Sequence, residues 1–205
     1  MTWQELVLSL SSGPVLLFST ATTGVHESDN LLAISWCKIE DESDQGTYGT
    51  LYHALPEDIA MIGAQYHKIP SQTLATLGFE PGAFEEKVEE LFDGVTAFSY
   101  NPMFQHLALN CMVECNVRHI ADLAAITSIA LNNRMLSAED LDKITTIGQL
   151  NSLLAGMGKP PPFKRVMKMC DITIDPFTDE LPVVTNVQIL HAFWEKLSSL
   201  ELLTY

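Results

Sequence analysis

The chain has 205 residues, of which 47% are apolar and 18% are charged, enough to build one sizeable core. Its formal net charge of −15 repels phosphate, which disfavours general binding to DNA or RNA. No apolar run approaches the roughly 20 residues that span a bilayer, and the N-terminus lacks the pattern of a signal peptide. We therefore predict one cytoplasmic domain over residues 1–205, with no membrane partner.

In the first half of the chain, apolar runs and turn residues mark the elements. Residues 2–10 fit a short amphipathic helix, and the acidic stretch 40–46 predicts a hairpin turn. Pro56 predicts the start of a helix, and residues 81–92 carry apolar side chains at helical spacing. Four strands are predicted, at Val15–Phe18, Leu31–Ile39, Tyr48–Tyr52 and Val95–Phe98.

The second half is predicted to be mostly helical. Helices are indicated at Pro102–Val113, from Asp122, behind the capping patterns that begin at Ser137 and Thr146, and over Val183–Leu203. A short strand is predicted at Arg118–Ala121. Three early strands followed by alternating helices and strands predict an α/β architecture with a mixed sheet of about five strands flanked by helices.

The charge is unevenly distributed. Residues 1–100 carry 15 acidic and 3 basic residues, whereas residues 101–205 carry 11 and 8. The segment 159–168 concentrates four cations, Lys159, Lys164, Arg165 and Lys168. We predict a solvated loop there, with a local landing site for an anion as the functional alternative.

The cysteines indicate no metal site. All four lie in apolar segments, which favours reduced thiols in a cytoplasmic protein. Cys111, Cys115 and His119 are spaced by four, but zinc usually takes four ligands and no fourth is evident, although the fold could supply Cys170 or His106. We expect core cysteines and no cofactor.

The most informative stretch follows the first predicted strand. Phe18 is followed by Ser19-Thr20-Ala21-Thr22-Thr23-Gly24, where the last three residues predict a turn and Ser19 is expected to end a central strand. With Asp and Glu in place of Ser19 and Ala21, this stretch resembles the opening motif of the DEDDh (DnaQ-like, proofreading-type) 3′–5′ exonucleases. The resemblance implies a ribonuclease H-like fold.

Two further motifs extend the resemblance over nearly the whole chain. Residues 97–105 are similar to the family's second motif, in which Asn101 and Phe104 match, Tyr100 replaces a His and Gln105 replaces a metal-binding Asp. The third motif places a His five residues before an Asp at the head of the last helix, which aligns Leu181 and Asn186 with those positions. Gln105 is accordingly expected on a helix that faces Ser19.

The resemblance implies that every catalytic position is substituted, at Ser19, Ala21, Gln105, Leu181 and Asn186. The family's two divalent metals need carboxylate oxygens, and leucine cannot act as a general base. We therefore predict an inactive, exonuclease-like pseudoenzyme with no metal site. Inactivation by design usually changes one or two carboxylates, so leucine in place of His is more typical of natural drift.

A pseudoenzyme would act by binding. The acidic surface favours a protein partner, and a homodimer is possible. Weak binding of a nucleotide or short oligonucleotide is the other interpretation. The ligand would then occupy the groove that holds the active site in the family. That groove would be lined by Thr20, Thr22, Thr23, Tyr100 and Asn101 and flanked by Lys164 and Arg165. We favour a groove filled or narrowed by Leu181 and its apolar neighbours, because leucine is stabilised by burial.

An alternative from another functional class is an exonuclease that acts on short single-stranded substrates through displaced metal ligands. Asp122, Asp175, Asp179 and Glu180 are the acidic residues considered for that role. We expect them to be solvated loop charges or a helix cap instead.

Overall fold

The computed structural model describes residues 3–26, 29–40, 45–110, 120–131, 138–141, 143–156, 163–174 and 181–200. The strands are β1 Val15–Thr22, β2 Leu31–Ile39, β3 Thr47–His53, β4 Gly78–Phe79, β5 Thr96–Ser99 and β6 Ile120–Asp122. The helices are α1 Trp3–Leu10, α2 Glu57–Ala60, α3 Ala64–His67, α4 Ser71–Leu77, α5 Pro81–Phe92, α6 Pro102–Asn110, α7 Leu123–Leu131, α8 Ala138–Leu141, α9 Ile147–Gly156, α10 Phe163–Met169 and α11 Pro182–Ser199.

The described strands form one mixed sheet in the order β4-β3-β2-β1-β5-β6. β1, β2 and β3 pair antiparallel, whereas β5 pairs parallel to both β1 and β6. The predicted mixed α/β sheet is thus confirmed, with six strands rather than about five. The additional strand, β4, has two residues, which is too short to leave a hydrophobic period in the sequence.

Helices cover both faces of the sheet. Because alternate residues of β1 point to opposite faces, this strand contributes to a core on each side. Leu17 contributes to a large core formed with α7, α9, α10 and α11. Leu16 and Phe18 contribute to a second core, which includes residues of α5 and α6. A third, smaller cluster covers the end of the sheet that carries Ala21.

The first strand is longer than its apolar run. The sequence predicted an end at Phe18 or Ser19, but β1 pairs with β2 as far as Thr22, opposite Leu31. The prediction was wrong because Thr20, Thr22 and their neighbours, although polar, have β2 as a pairing partner. On its other side, β1 pairs with β5 only over residues 15–17. The end of β1 therefore extends beyond β5.

Helix boundaries were predicted with mixed success. α5 has the predicted bounds. Thr146 and Gln149 form the predicted reciprocal cap of α9: the Gln149 N–H donates to Thr146 Oγ1 at 3.2 Å, and the Thr146 N–H donates to Gln149 Oε1 at 3.1 Å. α11 starts at Pro182, and its predicted last residues, 201–203, lie outside the described part.

The loop predicted for the basic segment is wrong over residues 163–169, which form α10. Val166 and Met167 are buried on one side of this helix, while Lys164 and Arg165 remain exposed. The prolines at 160–162 obscured the helical pattern, although proline is compatible with the start of a helix. Lys159 lies outside the described residues.

Among the residues that the structure describes, Cys37 and Cys170 are buried and form no disulfide bond. Cys111, Cys115 and His119, the three residues spaced by four in the sequence, lie outside the described residues. Within the same ranges, no helix combines the length and the apolar character needed to cross a membrane.

Candidate functional site

The overhanging end of β1 is held by a side chain from α6. Because β5 does not reach Thr20, the Thr20 N–H has no strand partner on that side, and it donates instead to Gln105 Oε1 at 2.9 Å. Both residues are buried, with 8% of Thr20 and 6% of Gln105 exposed. Gln105 thus lies on a helix beside the Ser19 region, as the motif alignment required.

Ser19 is linked to the last described helix. Asn186, in the second turn of α11, donates from Nδ2 to Ser19 Oγ at 3.3 Å. Ser19 itself is buried. A contact between residues 167 positions apart brings the first and third motifs to the same place.

The two remaining motif positions meet in an apolar cluster. Ala21 lies two residues after Ser19 and on the same face of β1, where it belongs to the third core cluster together with Val183. Leu181, the residue preceding α11, is half-buried and packs against that cluster. All five motif positions therefore gather around the overhanging end of β1.

The chemistry available at this place is that of neutral groups. The five side chains offer a hydroxyl, a methyl, two carboxamides and an isobutyl group. Across the described ranges, no group of three or more His, Cys, Asp or Glu side chains is placed to hold a metal ion. The described donors do not fit the pair of hard divalent cations that phosphodiester hydrolysis uses.

The threonines assigned to the groove have different surroundings. Thr22 Oγ1 donates to the Gly24 carbonyl, and Thr23 Oγ1 accepts from the Asn30 N–H at 2.9 Å. Both groups therefore stabilise the turn after β1. Thr20 Oγ1 is buried without a hydrogen-bond partner among the described residues.

Tyr100 and Asn101 lie where β5 passes into α6. The Tyr100 ring packs on Phe163 with a centroid distance of 4.6 Å, and Phe163 in turn contacts Phe193. The sequence reasoning missed Phe163, because its contact with Tyr100 joins two elements that are distant in the sequence. Asn101 is exposed and adopts a left-handed backbone with φ of 53°.

Asp122 is a buried carboxylate close to this corner. Its Oδ1 accepts the Ala125 N–H at 2.9 Å at the start of α7, as expected of a helix cap. Burial raises the pKa of Asp122 to about 6, although backbone hydrogen bonds from Ala125, Asn101 and Ala124 act in the opposite direction. Burial also raises the pKa of Tyr100, and the Asp122 charge adds to that effect.

Two basic residues of α10 line a cavity to which none of the five motif positions contributes. Lys164 and Lys168 line an open cavity of about 430 Å³ with Met167, Asp171 and residues 172–174. Through its ring contact with Tyr100, Phe163 joins the start of α10 to the residues that follow β5. Arg165 is exposed on α10.

His67 has a structural role in the segment around α3. Its ring is buried and makes two backbone hydrogen bonds, one from Nε2 to the Ile62 carbonyl at 3.2 Å and one from the Ile69 N–H to Nδ1 at 3.0 Å. Burial lowers the pKa of His67. The neutral ring therefore fixes the segment around α3.

No protein-family model and no curated protein matches the chain. Among solved structures, it is similar to an exonuclease I studied for how processivity is achieved, with 14% identity, a TM-score of 0.63, and coverage of 92% of this chain and 41% of that one. Exonuclease I of E. coli in complex with a dT13 oligonucleotide is 14% identical, with a TM-score of 0.61 and coverage of 92% of this chain and 41% of that one. A moderately thermophilic exonuclease I from Methylocaldum szegediense is 15% identical, with a TM-score of 0.59 and coverage of 92% of this chain and 42% of that one.

At these identities the likeness shows the fold. The predicted ribonuclease H-like α/β architecture is confirmed. This chain spans only about two fifths of the length of the exonuclease I chains that it matches.

Proposed function

We propose that this chain is a catalytically inactive, exonuclease-like protein that acts by binding a partner. One observation carries the proposal. The five positions that the motif resemblance marks as catalytic gather around the end of β1, and none of them carries a carboxylate or an imidazole. The architecture for positioning a reaction is present, whereas the groups that would perform it are replaced.

The loss is large in electrostatic terms. Two divalent cations about 4 Å apart repel each other strongly, and carboxylates offset that repulsion while supplying hard oxygen ligands. Relative to the family pattern, four formal negative charges are replaced by neutral groups at Ser19, Ala21, Gln105 and Asn186. The oxygens of Ser19 and Gln105 are already engaged in hydrogen bonds with the protein.

The described residues give little support to the alternative in which displaced acidic residues bind the metals. Asp122 is the described member of the acidic set, and its carboxylate caps α7 through Ala125. A carboxyl whose pKa is raised to about 6 by burial is also a poorer anion near neutral pH than an exposed one. Asp175, Asp179 and Glu180 lie outside the described residues.

The packing of Leu181 favours a protein partner over an oligonucleotide. Leu181 and Val184 lie against the cluster that holds Ala21 and Val183, so apolar side chains occupy the region of the third motif. The net charge of −15 opposes the approach of a phosphate backbone. We expect at most weak, salt-sensitive nucleotide or oligonucleotide binding, involving Lys164 and Arg165.

A hydrolysis assay tests the proposal directly. The protein is incubated with short single-stranded DNA and RNA in Mg²⁺ or Mn²⁺, with E. coli exonuclease I as the positive control on DNA, and released nucleotides are measured. We expect no release above the blank and no saturable heat when MnCl₂ is titrated into the protein by calorimetry. Metal-dependent release that disappears in Asp122→Asn would establish the alternative of an exonuclease with displaced ligands.

A further inference from the structure

Four large apolar side chains lie exposed near the end of β1. The exposed fractions are 69% for Val25, 56% for Met61, 52% for Ile62 and 77% for Tyr66. We call these four residues the Met61 surface. Large apolar side chains are stabilised by burial, so their exposure in two neighbouring segments indicates a binding surface.

The members of the Met61 surface lie in two segments whose backbones touch. Gly63 has a φ of 71°, and a Cβ added there would lie 2.5 Å from the Thr23 carbonyl oxygen. Only glycine permits this approach of the two backbones. Val25 follows Thr23 by two residues, while Met61 and Ile62 directly precede Gly63, so the apolar side chains are brought to one neighbourhood.

The surface is preorganised. Ala60 and Ile69 are 1% and 2% exposed and anchor the two ends of the segment in the third core cluster. Between them, His67 bonds both the Ile62 carbonyl and the Ile69 N–H. A partner would therefore meet apolar groups on a fixed backbone, which lowers the entropy lost on binding.

Acidic residues accompany the apolar ones. Glu57 and Asp58, both exposed, lie one helical turn before Met61 and Ile62, and Met61 continues the helical backbone of α2. Residues four apart lie on the same side of a helix. The single described lysine close by is Lys68 at the end of α3, within a half-chain that carries 15 acidic and 3 basic residues.

We propose that the Met61 surface docks a basic amphipathic segment of a partner protein, whose large apolar side chains contact Met61, Ile62 and Tyr66 while its Lys and Arg side chains face Glu57 and Asp58. This inference rests on the proposed binding function and specifies the chemistry of the partner. A second copy of this chain fits less well, because pairing two such surfaces would bring their carboxylates together. A nucleic acid is opposed by the same charges.

A labelled peptide tests the proposal. The probe is a fluorescein-labelled, 14-residue amphipathic peptide made of Leu and Lys, and its binding to the full chain is followed by fluorescence anisotropy. We expect saturable binding that falls at least tenfold in the triple variant Met61→Ser/Ile62→Ser/Tyr66→Ser. Leu77→Ser, which changes a side chain 61% exposed at the end of α4, is the control and should change binding less than twofold.

Charge reversal separates a specific surface from general attraction. Glu57→Lys/Asp58→Lys should weaken binding at least fivefold, whereas Glu86→Lys/Glu90→Lys, the same charge change on the exposed side of α5, should weaken it less than twofold. Equal losses in the two pairs, an unaffected triple serine variant, or a labelled oligonucleotide or second copy binding at the Met61 surface would overturn the proposal. Metal-dependent nuclease activity would refute the proposed function instead, and it is measured separately without the peptide.

Discussion

The hydrogen bond between Thr20 and Gln105 provides a sharp test of how the site is built. Gln105→Met keeps nearly the same side-chain length and volume but removes the oxygen that accepts the Thr20 N–H at 2.9 Å. With both residues buried and β5 ending too early to supply a partner, that N–H would be left unsatisfied. The substitution therefore isolates one polar contact of the site.

The expected effect can be worked from the burial. An unsatisfied buried donor costs about 1–3 kcal/mol, and the added apolar burial of methionine offsets roughly 1 kcal/mol of that. We expect a net destabilisation of up to about 2 kcal/mol, with Tm lowered by up to about 8 °C for a chain of this size. Gln72→Met, at an exposed position of α4, should change stability by less than about 0.5 kcal/mol.

Two measurements check this expectation. Thermal or urea unfolding gives the stability change, and amide hydrogen exchange reports the Thr20 N–H directly. Thr20 should lose protection in Gln105→Met and keep it in Gln72→Met. Unchanged stability together with retained Thr20 protection would refute the assignment of Gln105 as the partner of this strand end.

Three other predictions concern titration and binding. Because the pKa of Asp122 is raised from 3.8 to about 6, its contribution to stability is complete below pH 3.8 and is lost as the pH rises through 6. The free energy of unfolding in urea should therefore fall by roughly 3 kcal/mol over this range, and Asp122→Asn should lack that fall. The pKa of His67 is lowered from 6.5, so its contribution is present above pH 6.5 and lost as the pH falls below it, and His67→Gln should remove that loss in the same assay. A labelled short oligonucleotide at low salt should bind at most weakly, with affinity below the micromolar range. Micromolar binding abolished by Lys164→Glu/Arg165→Glu would show that the groove is open rather than narrowed.

The sequence predicted those elements whose hydrophobic pattern is strong. β2 and α5 have the predicted bounds, because continuous or periodic apolar residues determine them locally. β1 was predicted too short and α10 was missed, since a polar strand end and a helix behind prolines depend on neighbours distant in the sequence. Local patterns do not contain that information.

The candidate site was likewise predictable only in part. The order of the motifs predicted that Ser19, Gln105 and Asn186 would meet, and the hydrogen bonds at 2.9 and 3.3 Å place them around one strand end. The contact partners were not predictable, because the need for Gln105 at Thr20 arises from where β5 stops. The Met61 surface was missed for a related reason: whether Met61 or Tyr66 is exposed depends on packing that only the fold defines.

The position of α11 also has a consequence for biosynthesis. This helix packs across β1 and β2 and completes the larger core, yet it begins about 160 residues after β1 ends. At cellular synthesis rates, the first strands would wait on the order of 10–30 s for their covering helix to leave the ribosome. During that interval Leu17 and Cys37 would lack the helix that buries them, so early folding would depend on chaperones or on non-native contacts of the nascent chain.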